Sequence, residues 1–140
     1  MANTTKVIAI LGAILVLLQV SSCAAGRHLR DTPALMFLRG FDKGDLPGGW
    51  PASCDGKYYN DGLLLASVAS QWYAGRCGKM ISIRDRPGGR AVEAMVVDEC
   101  DFGKGCGDTE LSTSPAVWKA LWNGVDPGVH QAAVTWSDLD

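Results

Sequence analysis

The sequence is poor in the residues from which hydrolytic and metal sites are most often built. It has only two histidines in 140 residues, His28 and His130. No serine, histidine and acid therefore stand together in a recognisable triad motif, and the Gly88-Gly89 pair is typical of a turn between strands rather than of a phosphate-binding loop. Cysteine pairs two residues apart, which mark zinc knuckles, are also missing. We expect neither a metal nor another cofactor.

The chain also lacks an excess of positive charge. Lys and Arg number 13 against 15 Asp and Glu, so the formal net charge is −2. A mildly acidic surface is a poor match for the phosphates of nucleic acid and for anionic lipid headgroups. We therefore expect neither nucleic acid nor a membrane surface as the main partner.

Only one long apolar run is present, and it lies near the start of the chain. Residues 7–20 are apolar, Lys6 precedes them, and small residues follow at 22–25. This run is shorter than the roughly 20 residues that a membrane-spanning helix needs, and its flanks are typical of a secretory signal peptide over residues 1–25. Because no second such run follows, we expect a secreted protein in the apoplast or cell wall, without membrane contact.

Cysteine is scarce but even in number once the signal peptide is removed. Cys54, Cys77, Cys100 and Cys106 remain. In a small secreted chain such a set indicates two disulfides, and the spacing alone leaves three pairings open. A crosslink closing a loop of some twenty residues contributes about 3 kcal/mol in the chain-entropy model, which matters for a small core.

The remaining chain divides by composition. Residues 26–53 are rich in glycine, proline and charge, which predicts an extended arm, and residues 54–140 are then the folded domain. Alternating apolar residues at 80–84 and 91–97 flank a Pro-Gly-Gly turn and predict a hairpin. A final strand is predicted over residues 129–136.

One helix is indicated near the C-terminal end of the domain. Ser114 is a natural N-cap residue and Pro115 suits the first helical position. Val117, Trp118 and Leu121 would share the buried face of this helix. Several short strands with one helix in fewer than ninety residues favour a small closed barrel.

Five separated motifs in a fixed order resemble the plant ripening-related proteins and kiwellins, over residues 41–140. The motifs are CDGKYY at 54–59, QWYAGRCGKMISI at 71–83, VVDECD at 96–101, PAVWKAL at 115–121 and VTWSD at 134–138. The resemblance implies a mainly β fold, a six-stranded double-psi β-barrel with one or two short helices and disulfide crosslinks. Barwin, the N-terminal domains of expansins and the bacterial rare lipoprotein A group share this fold. A monomer is expected.

The resemblance also implies the function and the disulfide pairing. It favours a secreted, non-catalytic protein of plant defence and ripening that binds a protein secreted by a pathogen, with cell-wall polysaccharide as the second choice of partner. The implied disulfides are Cys54–Cys77 and Cys100–Cys106. The chain departs from its relatives after Cys106, where residues 107–113 replace a longer insert that carries a further cysteine.

The alternative function is cleavage of a wall polysaccharide. Asp98 follows two buried valines at a predicted strand end, and lytic members of the double-psi superfamily use an aspartate in the groove. Glu110 is the candidate second carboxylate that such cleavage requires. However, a buried acid at a strand end more often accepts hydrogen bonds from loop N–H groups. We expect Asp98 to hold the glycine loop between Cys100 and Cys106.

Aromatic and acidic side chains are the candidates for binding a partner, because aromatic rings stack on sugars and anchor protein interfaces. The arginines at positions 84, 86 and 90 flank the predicted hairpin turn and are candidates for contact with an acidic partner. The predicted binding residues are Tyr58, Tyr59, Trp72, Tyr73, Asp98 and Asp101.

Overall fold

The computed structural model describes residues 31–44, 49–100, 106–107, 109–124 and 131–139. The predicted signal peptide, Asp101 and the glycine loop after Cys100 lie outside the described residues. Six strands and two short helices lie within them. They are β1 (Thr32–Leu38), β2 (Leu65–Ala69), α1 (Ser70–Tyr73), β3 (Met80–Arg84), β4 (Ala91–Cys100), β5 (Glu110–Thr113), α2 (Pro115–Leu121) and β6 (Gln131–Asp138).

The strands form a closed barrel in the order β1-β5-β2-β4-β3-β6. β1 pairs with β5 and β2 pairs with β4 in parallel, and the other four neighbours are antiparallel. This mixed arrangement confirms the predicted mainly β, six-stranded double-psi barrel with short helices. Closure gives every strand two hydrogen-bonded neighbours, so the described sheet has no open edge.

The first barrel strand lies within the region predicted to be an arm, and that prediction is wrong. Ala34 and Met36 on β1 point into the barrel, where Met36 is fully buried. The glycines and charges that follow β1 dominate the composition of residues 26–53 and conceal a seven-residue strand. The barrel therefore begins at Thr32 rather than at Cys54.

The inner core is built from alternating positions of the strands and from one face of α2. On β3, Ile81 and Ile83 are fully buried while their neighbours reach the outer surface. The three α2 residues predicted to be buried are buried. The core residues are Ala34, Met36, Ala66, Val68, Ile81, Ile83, Val92, Ala94, Val96, Leu111, Val117, Trp118, Leu121, Val134 and Trp136.

A second, smaller core lies on the outer face of β2 and β4. Leu65 and Val97 point outward from these strands but are almost fully buried, because Phe41 and Ala52 pack on them. Ala52 belongs to residues 49–53, which we call the covering segment. The segment is thus packed on the barrel rather than extended as an arm.

Both disulfides follow the pairing that the resemblance implied. Cys54 is bonded to Cys77 with a Cα–Cα distance of 5.6 Å, and Cys100 is bonded to Cys106 with a Cα–Cα distance of 5.7 Å. The first crosslink ties the end of the covering segment to the turn before β3. Two disulfides are what an oxidising compartment permits.

The predicted hairpin between β3 and β4 is confirmed, and its turn follows from the residue types. The Gly89 N–H donates to the Arg86 carbonyl at 2.9 Å, which closes a four-residue turn. Pro87 occupies its second position and Gly88 its third, with φ of 73°. This is the type II pattern, which needs a residue tolerant of positive φ at the third position.

Ser114 stands at the N-cap of α2 as predicted, but its hydroxyl does not cap the helix. It donates to the Leu63 carbonyl at 2.6 Å and accepts from the Leu65 N–H at 3.1 Å. The fully buried hydroxyl therefore ties the start of β2 to the start of α2.

We expect Ser114→Ala to lower the free energy of unfolding by about 1–3 kcal/mol, because buried backbone groups would lose their partner. Denaturant unfolding measures the change. The matched control is Ser82→Ala on the outer face of β3, which should cost less than about 0.5 kcal/mol. Equal costs for the two variants would contradict the bridging role of Ser114.

Candidate functional site

Asp98 lies at a bulge of β4 and is the centre of a buried polar cluster. The pairing of β2 with β4 shifts register next to Ser67, which sets Asp98 opposite that serine. Asp98 is only 2% exposed. One carboxylate oxygen accepts from the Ser53 N–H at 2.7 Å, and the other accepts from the Trp50 indole N–H at 3.2 Å and from Arg39. We call Asp98, Arg39, Trp50, Ser53 and Ser67 the Asp98 cluster.

Arg39, which directly follows β1, supplies the positive charge that compensates the Asp98 carboxylate. It forms an ion pair with Asp98, and the same Nη1 donates to the Ser67 hydroxyl at 2.7 Å. Its guanidinium carbon lies 4.4 Å from the ring centroids of both Phe41 and Trp50, so the cation is held between two aromatic faces. Desolvation by burial lowers the pKa of Arg39, and the Asp98 carboxylate opposes this shift.

Asp98 accepts hydrogen bonds from the covering segment and from Arg39 at the end of β1. The glycine loop after Cys100, which Asp98 is predicted to hold, lies outside the described residues, so that role stays a prediction. Because of the bulge, the Asp98 side chain points to the outer side of the barrel, where the covering segment lies. The carboxylate therefore fastens this segment to β4.

Glu110, the candidate second acid, closes a separate turn with its carboxylate. Its carboxylate accepts from the Gly107 N–H at 2.6 Å, and its own N–H donates to the Gly107 carbonyl at 3.1 Å. Within the described residues no hydrogen bond or ion pair joins Glu110 to Asp98. Glu110 therefore has a structural role in the turn that it closes.

Tyr73 adjoins the Asp98 cluster through Ser53. The Ser53 hydroxyl accepts from the Glu99 N–H at 3.0 Å and donates to the Tyr73 hydroxyl at 3.0 Å. The Tyr73 hydroxyl also lies 3.3 Å from the sulfur of Cys77. Of the predicted binding residues, Tyr73 and Asp98 are therefore brought together.

Tyr58 and Tyr59 differ in exposure. Tyr58 is 41% exposed, whereas Tyr59 is half-buried against the outer core. The Tyr59 hydroxyl donates to Asp55, and this hydrogen bond lowers the pKa of Asp55 and raises the pKa of Tyr59. Tyr58 is the candidate whose ring is presented to solvent.

Trp72 belongs to a different cluster. Its ring meets Trp136 edge to face, with centroids 5.7 Å apart, and it packs on the inner core. Arg76 lies near both rings and forms two hydrogen bonds with Asp138, of 2.9 and 2.8 Å. This pairing raises the pKa of Arg76 and lowers that of Asp138. Trp72 thus contributes to the packing of the barrel.

Four residues of the Asp98 cluster are not among the site residues predicted from the sequence, namely Arg39, Trp50, Ser53 and Ser67. Arg39 lies in the region predicted to be an arm, although it directly follows a short apolar stretch. A cation placed at the end of a buried strand, with aromatic residues after it, is a signal for a buried ion pair. Ser53 acts partly through its backbone N–H, which any non-proline residue supplies.

Within the described part of the chain, no group of histidine, cysteine or acidic side chains has the arrangement of a metal site. Nor does any helix there have the length and apolar character needed to cross a bilayer.

The fold is shared with solved expansin structures. A mutant expansin of Clavibacter michiganensis, solved in complex with cellohexaose, superposes with a TM-score of 0.59 and 18% identity. The match covers 79% of this chain and 51% of that chain. At this identity the likeness defines the class of fold, an expansin-like barrel.

The sequence comparisons define the family, which is more specific than the class of fold. A family model described as Kiwellin-1 matches residues 18–139. Ripening-related protein 7 of Oryza sativa subsp. japonica is 47% identical over an alignment of 124 residues, and the match covers 81% of this chain and 75% of the relative. Kiwellin of Actinidia chinensis var. chinensis is 36% identical over an alignment of 118 residues, and the match covers 76% of this chain and 54% of that protein. The chain belongs to the kiwellin family of ripening-related proteins and spans about half the length of that kiwellin.

Proposed function

We propose that the chain is a secreted, non-catalytic defence protein, active as a monomer, that binds a protein secreted by a pathogen. Membership of the kiwellin family and the two disulfides support this proposal. The observation that carries the non-catalytic part is the state of Asp98, whose two oxygens accept three hydrogen bonds inside a buried cluster.

The partners of Asp98 weigh against glycosidic cleavage. A general acid must reach the glycosidic oxygen and give it a proton. Asp98 would first have to lose the contacts with Arg39, Trp50 and Ser53, which would take the carboxylate away from a buried guanidinium. Glu110, the predicted second carboxylate, is engaged with the Gly107 N–H in a turn, whereas such cleavage needs a second carboxylate that is free to act on water or on the sugar.

Binding is supported by groups that remain at the surface. Tyr58 is exposed on the loop that follows Cys54, and the crosslink to Cys77 limits the mobility of that loop. A rigid, exposed aromatic ring loses little conformational entropy on binding and can anchor an interface.

The test combines a catalytic assay with a binding assay. Mature protein and an Asp98→Asn variant are incubated with plant and fungal wall polysaccharides, and released sugars are measured. In parallel, immobilised mature protein is offered the proteins secreted by a plant-infecting fungus. We expect no sugar release by either protein and saturable capture of one secreted protein, which Tyr58→Ala weakens.

Sugar release that disappears in Asp98→Asn would refute the non-catalytic proposal. Retention on polysaccharide without capture of any secreted protein would support the wall as partner and overturn the proposed one. The matched control for Tyr58→Ala is Tyr59→Phe, which removes the hydroxyl bonded to Asp55 but keeps the ring.

A further inference from the structure

The turn between β3 and β4 carries a local charge opposite to that of the whole chain. Residues 84–90 contain three arginines and one aspartate, a formal charge of +2, in a chain of net charge −2. Arg86 and Arg90 are exposed, whereas Arg84 is half-buried. We call residues 84–90 the hairpin tip.

Two of the arginines have no counter-ion in the described part of the chain. Arg39 pairs with Asp98 and Arg76 pairs with Asp138, and within the described residues no ion pair involves the hairpin tip. Asp85, the acid of the tip, has one carboxylate oxygen buried without a hydrogen-bond partner. The tip therefore presents guanidinium groups that its own acid does not neutralise.

The tip is also rigid. The Gly89 N–H closes the type II turn on Arg86, and the Arg84 side chain donates to the Gly89 carbonyl at 3.0 Å. A Cβ added at Gly89 would lie 2.1 Å from a carboxylate oxygen of Asp85, so the close packing there depends on glycine. β3 and β4 fix the base of the turn within the closed barrel. A preformed tip loses little entropy on binding.

We propose that the hairpin tip is a contact site for an acidic protein surface, with Arg86 and Arg90 pairing with carboxylates of the partner. The proposal deepens the proposed function, because it rests on a protein being the partner. A planar guanidinium binds a carboxylate through two parallel hydrogen bonds. A projecting turn fits a carboxylate-lined surface, whereas an acidic polysaccharide chain is better bound along a groove.

The test uses the mature protein and fluorescent poly-L-glutamate as the acidic peptide probe. We expect R86A/R90A to weaken binding at low ionic strength about tenfold, as expected for the loss of two exposed ion pairs. The binding affinity of R86A/R90A should also depend less steeply on salt concentration than that of the unmutated protein. K43A/K119A removes two exposed lysines elsewhere and should change binding less than about threefold. R86K/R90K should retain only part of the binding, because it keeps both charges but loses the planar guanidinium groups.

Each outcome decides the proposal. Equal weakening by R86A/R90A and K43A/K119A would show an unspecific charge effect and overturn it. Polygalacturonate binding as tight as poly-L-glutamate binding, with the same dependence on Arg86 and Arg90, would overturn the assignment to a protein surface. Capture of a fungal protein that R86A/R90A leaves unchanged would refute the tip while the proposed function stands. Binding of poly-L-glutamate that depends on Arg86 and Arg90, without capture of any fungal protein, would support the hairpin tip as a contact site and refute the proposed function.

Discussion

Asp98→Ala is expected to lower the free energy of unfolding by about 3–5 kcal/mol, since it leaves one member of a buried ion pair without its partner. Arg39 is 4% exposed at its side chain and lies between the rings of Phe41 and Trp50, so water cannot easily replace the lost carboxylate. The Ser53 N–H and the Trp50 indole would also lose their acceptor. The covering segment should become more mobile as a result.

The matched control is Asp138→Ala. Asp138 forms an ion pair with Arg76, but its side chain is 34% exposed. Because solvent screens such a pair, the control should cost less than about 1 kcal/mol. Urea unfolding followed by tryptophan fluorescence measures both variants. Equal costs would contradict the structural role of Asp98.

The second large effect is expected at the Cys54–Cys77 disulfide. Replacing both cysteines with serine should destabilise the domain by about 3 kcal/mol, because the bond closes a loop with a sequence separation of 23. The Cys100–Cys106 bond has a sequence separation of 6, so its removal should cost less, about 2 kcal/mol. Thermal unfolding of the two double variants gives the ranking.

The first crosslink has a further role because Cys54 directly follows the covering segment. Its loss should speed hydrogen exchange at Ser53, whose N–H is bonded to Asp98, by more than it speeds exchange in the centre of β3, where only the global loss of stability acts. Uniform acceleration across the barrel would mean that the bond stabilises only the domain as a whole. A larger cost for Cys100–Cys106 than for Cys54–Cys77 would contradict the ranking by loop length.

The parts of the fold with strong local signals could be predicted from the sequence. The hairpin of β3 and β4 follows from alternating apolar residues around Pro87-Gly88, and α2 follows from Ser114-Pro115 and its three apolar residues. These signals depend on neighbours in sequence and need no tertiary contact. The disulfide pairing came from the resemblance to the ripening-related proteins, since spacing left three pairings open.

The parts that depend on long-range contacts could not be predicted. β1 is stabilised by β5 and β6, both more than 70 residues away along the chain, as in the pairing of Leu35 with Glu110 and with Ala133. The local composition around β1 gives no indication of these distant partner strands. The ion pair of Arg39 with Asp98 joins residues 59 positions apart, so the sequence showed an acid at a strand end without the cation that pairs with it.

A double-mutant cycle on Arg39 and Asp98 tests most directly whether this carboxylate is part of the fold. The free energies of unfolding are measured for the wild type, Arg39→Met, Asp98→Asn and the double variant. We expect the two single changes to be strongly non-additive, with a coupling energy of about 1–3 kcal/mol, because each variant removes the opposite charge from a buried ionised group. Additivity within about 0.5 kcal/mol would contradict the structural assignment and return Asp98 to the candidates for catalysis.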